Sequence, residues 1–230
     1  MARCQYLCSM AQKMKVDVWS DVVCPFCYIG KRHYEAAMAK FAHAADVETE
    51  WHSFQLNPDF KAPAQPENIY AFLARVKNIP YDQSVKMHQQ VAVMASAAGL
   101  HYNFDKVVPA GTFAAHRVLQ MAKKKGVGAR AEEALFKAYF TEGRNLNSTD
   151  ELATIAAGTG LDAQAVKQML AGKEYAADVQ ADIDEATRLG VSGVPFFVFH
   201  HRFAVSGAQP ADTFLNVLEK AWKAWKAEQP

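Results

Sequence analysis

The chain has 230 residues, of which 50% are hydrophobic, and a formal net charge of +1, so it is long enough to bury a substantial core. Its 25 Lys and Arg balance 24 Asp and Glu, and no charge excess predicts binding to nucleic acid or to an anionic membrane. The sequence contains no Walker-type or GxGxxG phosphate loop, and no apolar run approaches the roughly 20 residues that span a bilayer. These features predict an ordinary globular protein without nucleic-acid or membrane partners.

Residues 1–13 carry no strand or helix pattern and no apolar core of a signal peptide. We therefore expect a disordered extension and a cytoplasmic protein. The segment contains Cys4 and Cys8, for which the sequence assigns no role. Four cysteines in the whole chain are too few for a disulfide scaffold, so a CxxC motif in a cytoplasmic protein indicates catalysis or metal binding.

The next segment predicts a strand, a helix and a second strand. KVDVW (residues 15–19) is short and alternating, which is typical of a strand, and VETEWHSFQL (residues 47–56) repeats that pattern. If the strands are parallel, the unit is a βαβ motif with a right-handed crossover. The helix between them is expected to end at about residue 41, because apolar side chains recur at helical spacing along one stripe: Cys27, Tyr34, Ala37, Met38 and Phe41.

Residues 61–190 predict an all-helical block, since most of the segments are Ala-rich, helix-periodic and closed by a Gly. Two apolar runs in residues 194–207 predict a hairpin, and residues 210–227 predict a last amphipathic helix. No linker separates these parts. We therefore expect one α/β unit, formed by residues 14–60 and 191–230, with residues 61–190 inserted as helices.

Cys24 and Cys27 form a CPFC motif at the predicted junction of the first strand and helix. Three interpretations are open: a metal clip, a structural disulfide, and a redox pair that exchanges disulfides with other molecules. Cys4 and Cys8 would complete four thiols at zinc-like spacing, but they precede the predicted domain. The redox interpretation suits the position best, because unpaired N–H groups and the dipole at a helix N-terminus favour a thiolate at Cys24. Cys27, one turn later, would be the resolving thiol.

Further motifs accompany CPFC: VWSDVVCPFCYIGK near the start, FQLNP, AAHRVL and AYFTEGRNL in the middle, and GVSGVPFFVF and VSGAQP near the end. Together they resemble the DsbA family of thioredoxin-like oxidoreductases, of the FrnE type. The resemblance covers about residues 15–222. The combination of CPxC after a strand with Gly-Val-Pro about 170 residues later is its most specific part.

This resemblance implies an α/β, thioredoxin-like fold with a large all-helical insertion and the activity of a protein disulfide oxidoreductase or isomerase. Cys24 and Cys27 are the implied catalytic pair. Val194 and Pro195 are expected to face them across a cis peptide bond, and Pro25 and Phe26 are also expected at the substrate site. The implied partners are protein or peptide thiols and disulfides. The redox-active disulfide would itself be the cofactor, without a metal, and glutathione is a further candidate.

Two departures from related enzymes keep other activities open. No His stands between the cysteines, as it does in strongly oxidising DsbA enzymes, so we expect a milder oxidant. Kappa-class glutathione transferases and 2-hydroxychromene-2-carboxylate isomerases resemble this fold but carry Ser in place of Cys24. A glutathione-dependent transferase or isomerase is therefore the alternative enzyme, and a zinc-clipped binding module is the alternative without catalysis.

Four other residues have two interpretations each. Asp17 is either a buried acid that takes the proton of the resolving thiol or a half-exposed strand carboxylate. His116 and Arg117 either contact substrate or pack on a helix face. Tyr28 belongs either to the substrate site or to the core.

Overall fold

The computed structural model describes residues 13–62 and 67–229, which form one four-stranded sheet flanked by helices. The strands are β1 (Met14–Ser20), β2 (Val47–Ser53), β3 (Phe196–Phe199) and β4 (Phe203–Ser206), in the spatial order β2-β1-β3-β4. β1 and β2 are parallel, and β3 is antiparallel to both β1 and β4. The predicted βαβ unit and hairpin are both confirmed. Cys4 and Cys8 lie outside the described residues, so the predicted extension stays a prediction.

Helix α1 (Pro25–Lys40) connects β1 to β2 and begins at the CPFC motif. Cys24 is its N-cap residue, with an extended backbone. Pro25 occupies the first turn, where an N–H group would have no partner within the helix. The apolar stripe that the sequence predicts is buried, apart from the partly buried Met38. It contributes to two cores. Cys27 packs against side chains of the insertion, whereas Tyr34 and the stripe residues after it pack against the sheet.

Seven α-helices lie in the described chain between β2 and β3, as the helical periodicity of residues 61–190 predicts. They are α2 (Ile69–Lys77), α3 (Tyr81–Ala97), α4 (Phe113–Lys124), α5 (Gly128–Lys137), α6 (Thr149–Ala157), α7 (Ala163–Ala171) and α8 (Ala176–Arg188). Short 3₁₀ or π turns occur at Ala44–Asp46, Phe104–Lys106 and Ala138–Glu142. Within the described ranges, no helix has the length and hydropathy that crossing a membrane requires.

The last helix, α9 (Ala211–Ala227), covers the face of the sheet on which α1 also packs. Its predicted apolar stripe is buried throughout: Phe214, Leu218, Ala221, Trp222 and Trp225. Burying each large side chain of this kind contributes about 1.5–3 kcal/mol. The sheet, α9 and the later turns of α1 therefore share one core, and the helices between β2 and β3 form a second core together with the first turn of α1.

A buried carboxylate on α8 attaches the insertion to the sheet. Asp182 accepts hydrogen bonds from the backbone N–H of Ser53 at 2.7 Å, from Nε2 of Gln120 at 2.6 Å and from Nδ1 of His52 at 3.0 Å. The other ring nitrogen of His52, Nε2, lies 3.0 Å from a carboxylate oxygen of Asp17. Burial opposes a charge on the ring, but the hydrogen bonds to Asp17 and Asp182 raise the pKa of His52 to about 9. The cluster therefore holds a histidine cation between two carboxylates.

This cluster predicts a specific pH dependence of stability. The pKa of His52 in the folded protein, about 9, exceeds the ordinary value of 6.5. Its stabilising contribution is therefore complete below pH 6.5 and is lost as the pH rises through 9. Below pH 6.5 the wild type should have a larger free energy of unfolding than His52→Gln. We expect this difference to decrease by about 2–3 kcal/mol between pH 6.5 and pH 9. Urea unfolding at a series of pH values measures it, with the exposed His101→Gln as control. Parallel pH profiles for the wild type and His52→Gln would contradict this account.

Candidate active site

Cys24 is the N-cap residue of α1, Cys27 lies in its first turn, and both are free thiols. Cys24 is 3% exposed, and Cys27 is fully covered. The N–H of Cys27 donates to the carbonyl oxygen of Cys24 at 3.0 Å, so the two residues share one tight turn. Burial raises the pKa of the Cys27 thiol well above its usual range, and the neighbouring Cys24 adds to this effect. One thiol therefore lies at the helix terminus and the other behind it.

The loop that precedes β3 lies against Cys24. Sγ of Cys24 is 3.4 Å from the carbonyl oxygen of Val194, and the Val194–Pro195 peptide bond is cis, the geometry that the resemblance implies. The carbonyl oxygen of Pro195 accepts a hydrogen bond from the N–H of Gly207 at 2.8 Å, which ties this loop to the end of β4. Two segments far apart in the sequence therefore meet at one thiol.

Gly30 makes that approach possible. A Cβ atom at this position of α1 would lie 2.9 Å from Cγ of Pro195 and 3.5 Å from Cα of Ala208. The first distance is shorter than carbon atoms tolerate, and a proline ring cannot rotate away from it. The absence of a side chain at Gly30 thus sets how closely the Val194–Pro195 loop packs on the helix that carries both cysteines.

Pro25 and Phe26, the two residues between the cysteines, form the outer surface of the turn. Phe26 is 38% exposed, whereas Pro25 is partly buried. The hydroxyl of Tyr102, from the insertion, donates to the carbonyl oxygen of Pro25 at 2.7 Å, and its ring stacks on Phe140 with centroids 4.6 Å apart. The insertion therefore supports the CPFC turn and leaves the ring of Phe26 facing outward.

A group of buried polar side chains lies on the inner side of Cys27. Ser20 and the backbone of Asp21 oppose the rise of the Cys27 pKa. The Ser20 hydroxyl also donates to Oε1 of Glu132, on α5, at 3.0 Å. Nε2 of His116, on α4, lies 3.3 Å from Oδ1 of Asp21, an ion-pair distance with an angle unsuited to a hydrogen bond. Two insertion helices therefore bring ionisable groups to Ser20 and Asp21, at the end of β1 and just after it.

Asp17 does not belong to this group, so its interpretation as the acid beside the resolving thiol is wrong. Successive side chains of a strand point to opposite faces. Val16 and Val18 face the core shared with α9, whereas Asp17 lies on the other face, bonded to His52. The buried acids on the inner side of the site are instead Asp21, which lies against His116, and Glu132, which accepts a hydrogen bond from Ser20.

Arg117 and Tyr28 serve the packing of the insertion. Arg117 is buried and donates to four backbone carbonyl groups at the end of α7 and beyond it: Met169, Leu170, Gly172 and Glu174. Tyr28 stacks on Phe136 with centroids 4.8 Å apart, and its hydroxyl donates to Glu133 at 2.6 Å. These contacts favour the core interpretation of Tyr28 and the packing interpretation of Arg117, and His116 is buried against Asp21.

Sequence analysis missed Ser20, Asp21, Gly30, Tyr102 and Glu132. A signal for Glu132 was present, because it shares a helix face with apolar residues of α5: Ala131, Leu135 and Phe136. An acid on an apolar face indicates a buried carboxylate with a specific partner.

One other group has the spacing of metal ligands. Ligand atoms of Asp17, Glu50 and His52 all lie within 4.8 Å of one another. Both ring nitrogens of His52 are already bonded to carboxylates, and Glu50 forms an ion pair with Lys123. These contacts explain the cluster as a network of ion pairs. It lies on the face of the sheet opposite the core that contains α9.

The contact between Gly30 and Pro195 yields a test. Ala is favoured over Gly in a helix by about 1 kcal/mol, so propensity alone predicts that Gly30→Ala stabilises the protein. We expect instead a loss of about 1–3 kcal/mol, because the added methyl group overlaps Cγ of Pro195. Gly193→Ala is the matched control, since a Cβ there meets nothing within 4 Å. Denaturant unfolding compares the two variants, and a Gly30→Ala protein more stable than the wild type would contradict the steric argument.

Residues 15–219 match a protein family described as the DSBA-like thioredoxin domain. YwbO of Bacillus subtilis, an uncharacterized protein, is 30% identical in a 216-residue alignment that covers 90% of this chain and 97% of the relative. The crystal structure of a probable DsbA oxidoreductase from Streptomyces coelicolor is 36% identical, with a TM-score of 0.87 over 94% of this chain and 92% of that chain. The cytosolic disulfide reductase DsbM from Pseudomonas aeruginosa, solved with GSH, shares the fold at 19% identity, with a TM-score of 0.62 over 91% of this chain and 99% of that chain. The chain therefore belongs to the DSBA-like thioredoxin domain family, a family of thiol–disulfide oxidoreductases.

Proposed function

We propose that this protein exchanges disulfides with protein or peptide substrates through the dithiol of Cys24 and Cys27. The observation that carries the proposal is the position of Cys24, at the N-cap of α1 and 3.4 Å from the Val194 carbonyl oxygen. The first N–H groups of a helix have no partner within the helix, so a reacting group at the N-cap lies against them. Cys27 lies one turn away in the same helix, within reach of the sulfur that it must attack.

The two thiols take successive steps in the proposed reaction. The Cys24 thiolate attacks a substrate disulfide, its S–S bond breaks, and one substrate sulfur leaves as a thiolate. Cys27 then loses its proton and attacks Sγ of Cys24, which forms the Cys24–Cys27 disulfide and releases the second substrate thiolate. The substrate gains two electrons and the enzyme dithiol loses them. The reverse sequence oxidises a substrate dithiol, and alternation of the two directions isomerises disulfides.

The surface around Cys24 supports a peptide-like substrate. Val194 is partly buried beside the sulfur and presents backbone groups, and the exposed ring of Phe26 offers an apolar contact. In this proposal Val194, Pro195, Pro25 and Phe26 shape the substrate site, and the disulfide of the two cysteines is the redox cofactor. We propose the cytoplasm as the compartment, in keeping with the structural relative described as a cytosolic disulfide reductase.

Single substitutions distinguish the roles of the two cysteines. In a Cys4→Ser, Cys8→Ser background, which removes the remaining thiols, Cys27→Ser should accumulate a mixed disulfide between Cys24 and a peptide substrate. Cys24→Ser should form no adduct, because the remaining thiol is fully covered. Mass spectrometry under non-reducing conditions measures both adducts, and the intact dithiol protein should show turnover without a lasting adduct. Adducts on Cys27 in the Cys24→Ser protein would reverse the assignment.

The same proteins separate the proposal from its alternatives. A glutathione-dependent transferase or isomerase would turn over a glutathione substrate in the Cys27→Ser variant, since that chemistry needs only one thiol. We expect that variant to lose turnover of both peptide disulfides and glutathione substrates. Full glutathione-dependent turnover without Cys27, or thiols that react only after a chelator removes zinc, would overturn the proposal.

A further inference from the structure

A crevice of about 400 Å³ lies beside β2, the first strand in the order of the sheet, and is walled on its other side by α4 and α5. All of residues 48–53 line it, so side chains from both faces of β2 border it, as they do along a strand edge. Gly128 and Ala129, at the start of α5, leave room opposite the strand. The Val194–Pro195 loop does not line the crevice, which is therefore separate from the surface at Cys24.

The backbone of β2 directs N–H and carbonyl groups toward this crevice. The N–H of Phe54 donates to the carbonyl oxygen of Ser20 at 3.0 Å, so the even-numbered residues of β2 point their backbone groups at β1. The odd-numbered residues point theirs away from β1, and the N–H of Ser53 accordingly donates to a carboxylate on α8. Within residues 13–62 and 67–229, the outward N–H and carbonyl groups of Thr49 and Trp51 have no hydrogen-bond partner.

We propose that this crevice binds an extended segment of another protein, which adds to the edge of β2 as a further strand of the sheet. Unpaired N–H and carbonyl groups along a strand edge are a template for exactly one kind of ligand, a second extended backbone. The segment bonds to the outward groups of Thr49 and Trp51. In strand addition of this kind, main-chain hydrogen bonds supply affinity and alternate side chains supply specificity. The surface is independent of the dithiol.

The charges and the walls of the crevice disfavour a second copy of this chain as the occupant. An antiparallel pairing of two copies that uses the outward groups of Thr49 and Trp51 on both strands places the two Glu50 side chains directly opposite each other. Like charges in that position are destabilising. Lys123 and Gln120 also reach β2 from α4, so the far wall lies within a side chain's length of the strand. A second sheet with its own helices does not fit there, whereas a single extended backbone lies only about 4.8 Å from its neighbour.

The side chains along β2 indicate the sequence of the bound segment. On one face of the strand, Glu48 is exposed and has no ion pair within the described ranges, and Glu50 pairs with the half-exposed Lys123 of α4. On the other face, the partly buried ring of Trp51 borders the crevice. Because side chains alternate along a strand, a segment of alternating basic and apolar residues matches both faces. One of its basic side chains replaces Lys123 beside Glu50.

A fluorescein-labelled heptapeptide of alternating lysine and valine is the probe, and its fluorescence anisotropy measures binding to the full chain. Thr49→Pro removes an outward N–H group but no hydrogen bond to β1, a change that edge strands tolerate. We expect this variant to bind the peptide about tenfold more weakly than the wild type. Thr49→Val is the matched control. It also loses the hydroxyl that lies 2.7 Å from the hydroxyl of Tyr34, but it keeps the N–H group and should bind as the wild type does.

Equal affinities of Thr49→Pro and Thr49→Val for the peptide, or no binding to the wild type, would overturn the proposal. If Thr49→Pro fails to fold, two further peptides decide with the wild-type protein, one N-methylated on every valine and one on every lysine. Only one of these sets of N–H groups can face β2, so one peptide should lose binding and the other keep it, and equal binding of both overturns strand addition.

Two more measurements test which partner occupies the edge. A peptide of alternating glutamate and valine should bind about tenfold more weakly than the lysine peptide, and equal binding contradicts the charge match. Sedimentation of the protein alone should show no self-association that Thr49→Pro abolishes, since such a dimer would assign the edge to a second copy. The probes contain no sulfur, and the Cys24→Ser, Cys27→Ser protein should bind them as the wild type does. Failure of the dithiol chemistry therefore leaves this proposal intact, whereas binding that requires Cys24 overturns it.

Discussion

The burial of the Cys27 thiol is the constraint on which the rest of the site depends. A thiol must ionise to attack a disulfide, yet Cys27 is fully covered and burial raises its pKa. Ser20 on β1 and the backbone of Asp21, in the turn after it, oppose this rise of the pKa, and α1 itself supplies neither group.

Helix α1 connects this chemistry to both halves of the molecule. Its first turn carries the thiols and packs in the insertion core, and its later turns pack on the sheet with α9. At Gly30 the loop that carries Pro195 lies directly on its backbone. The candidate active site therefore lies where the thioredoxin-like unit and the insertion meet, and the insertion places Tyr102, His116 and Glu132 around it.

Local sequence patterns were sufficient to predict the order of the elements, the start of α1 at the CPFC motif and the buried face of α9. These features follow from periodicity and from residue preferences at helix ends, which neighbouring residues determine. The buried acid that bonds to Ser20 could not be identified in this way. Asp17 is close in sequence, but strand alternation directs it to His52, whereas Glu132 reaches Ser20 from 112 residues away. Such a contact depends on how α5 packs against β1, and no local pattern encodes that packing.

The most direct test of the central claim is to equilibrate the protein with glutathione buffers of graded potential and to identify its oxidised form by mass spectrometry. We predict one two-electron transition, in which Cys24 and Cys27 become a single intramolecular disulfide, with a potential less oxidising than the roughly −120 mV of strongly oxidising DsbA enzymes. A thiol pair that never joins across this range, or that only takes up glutathione on Cys24, would contradict the account.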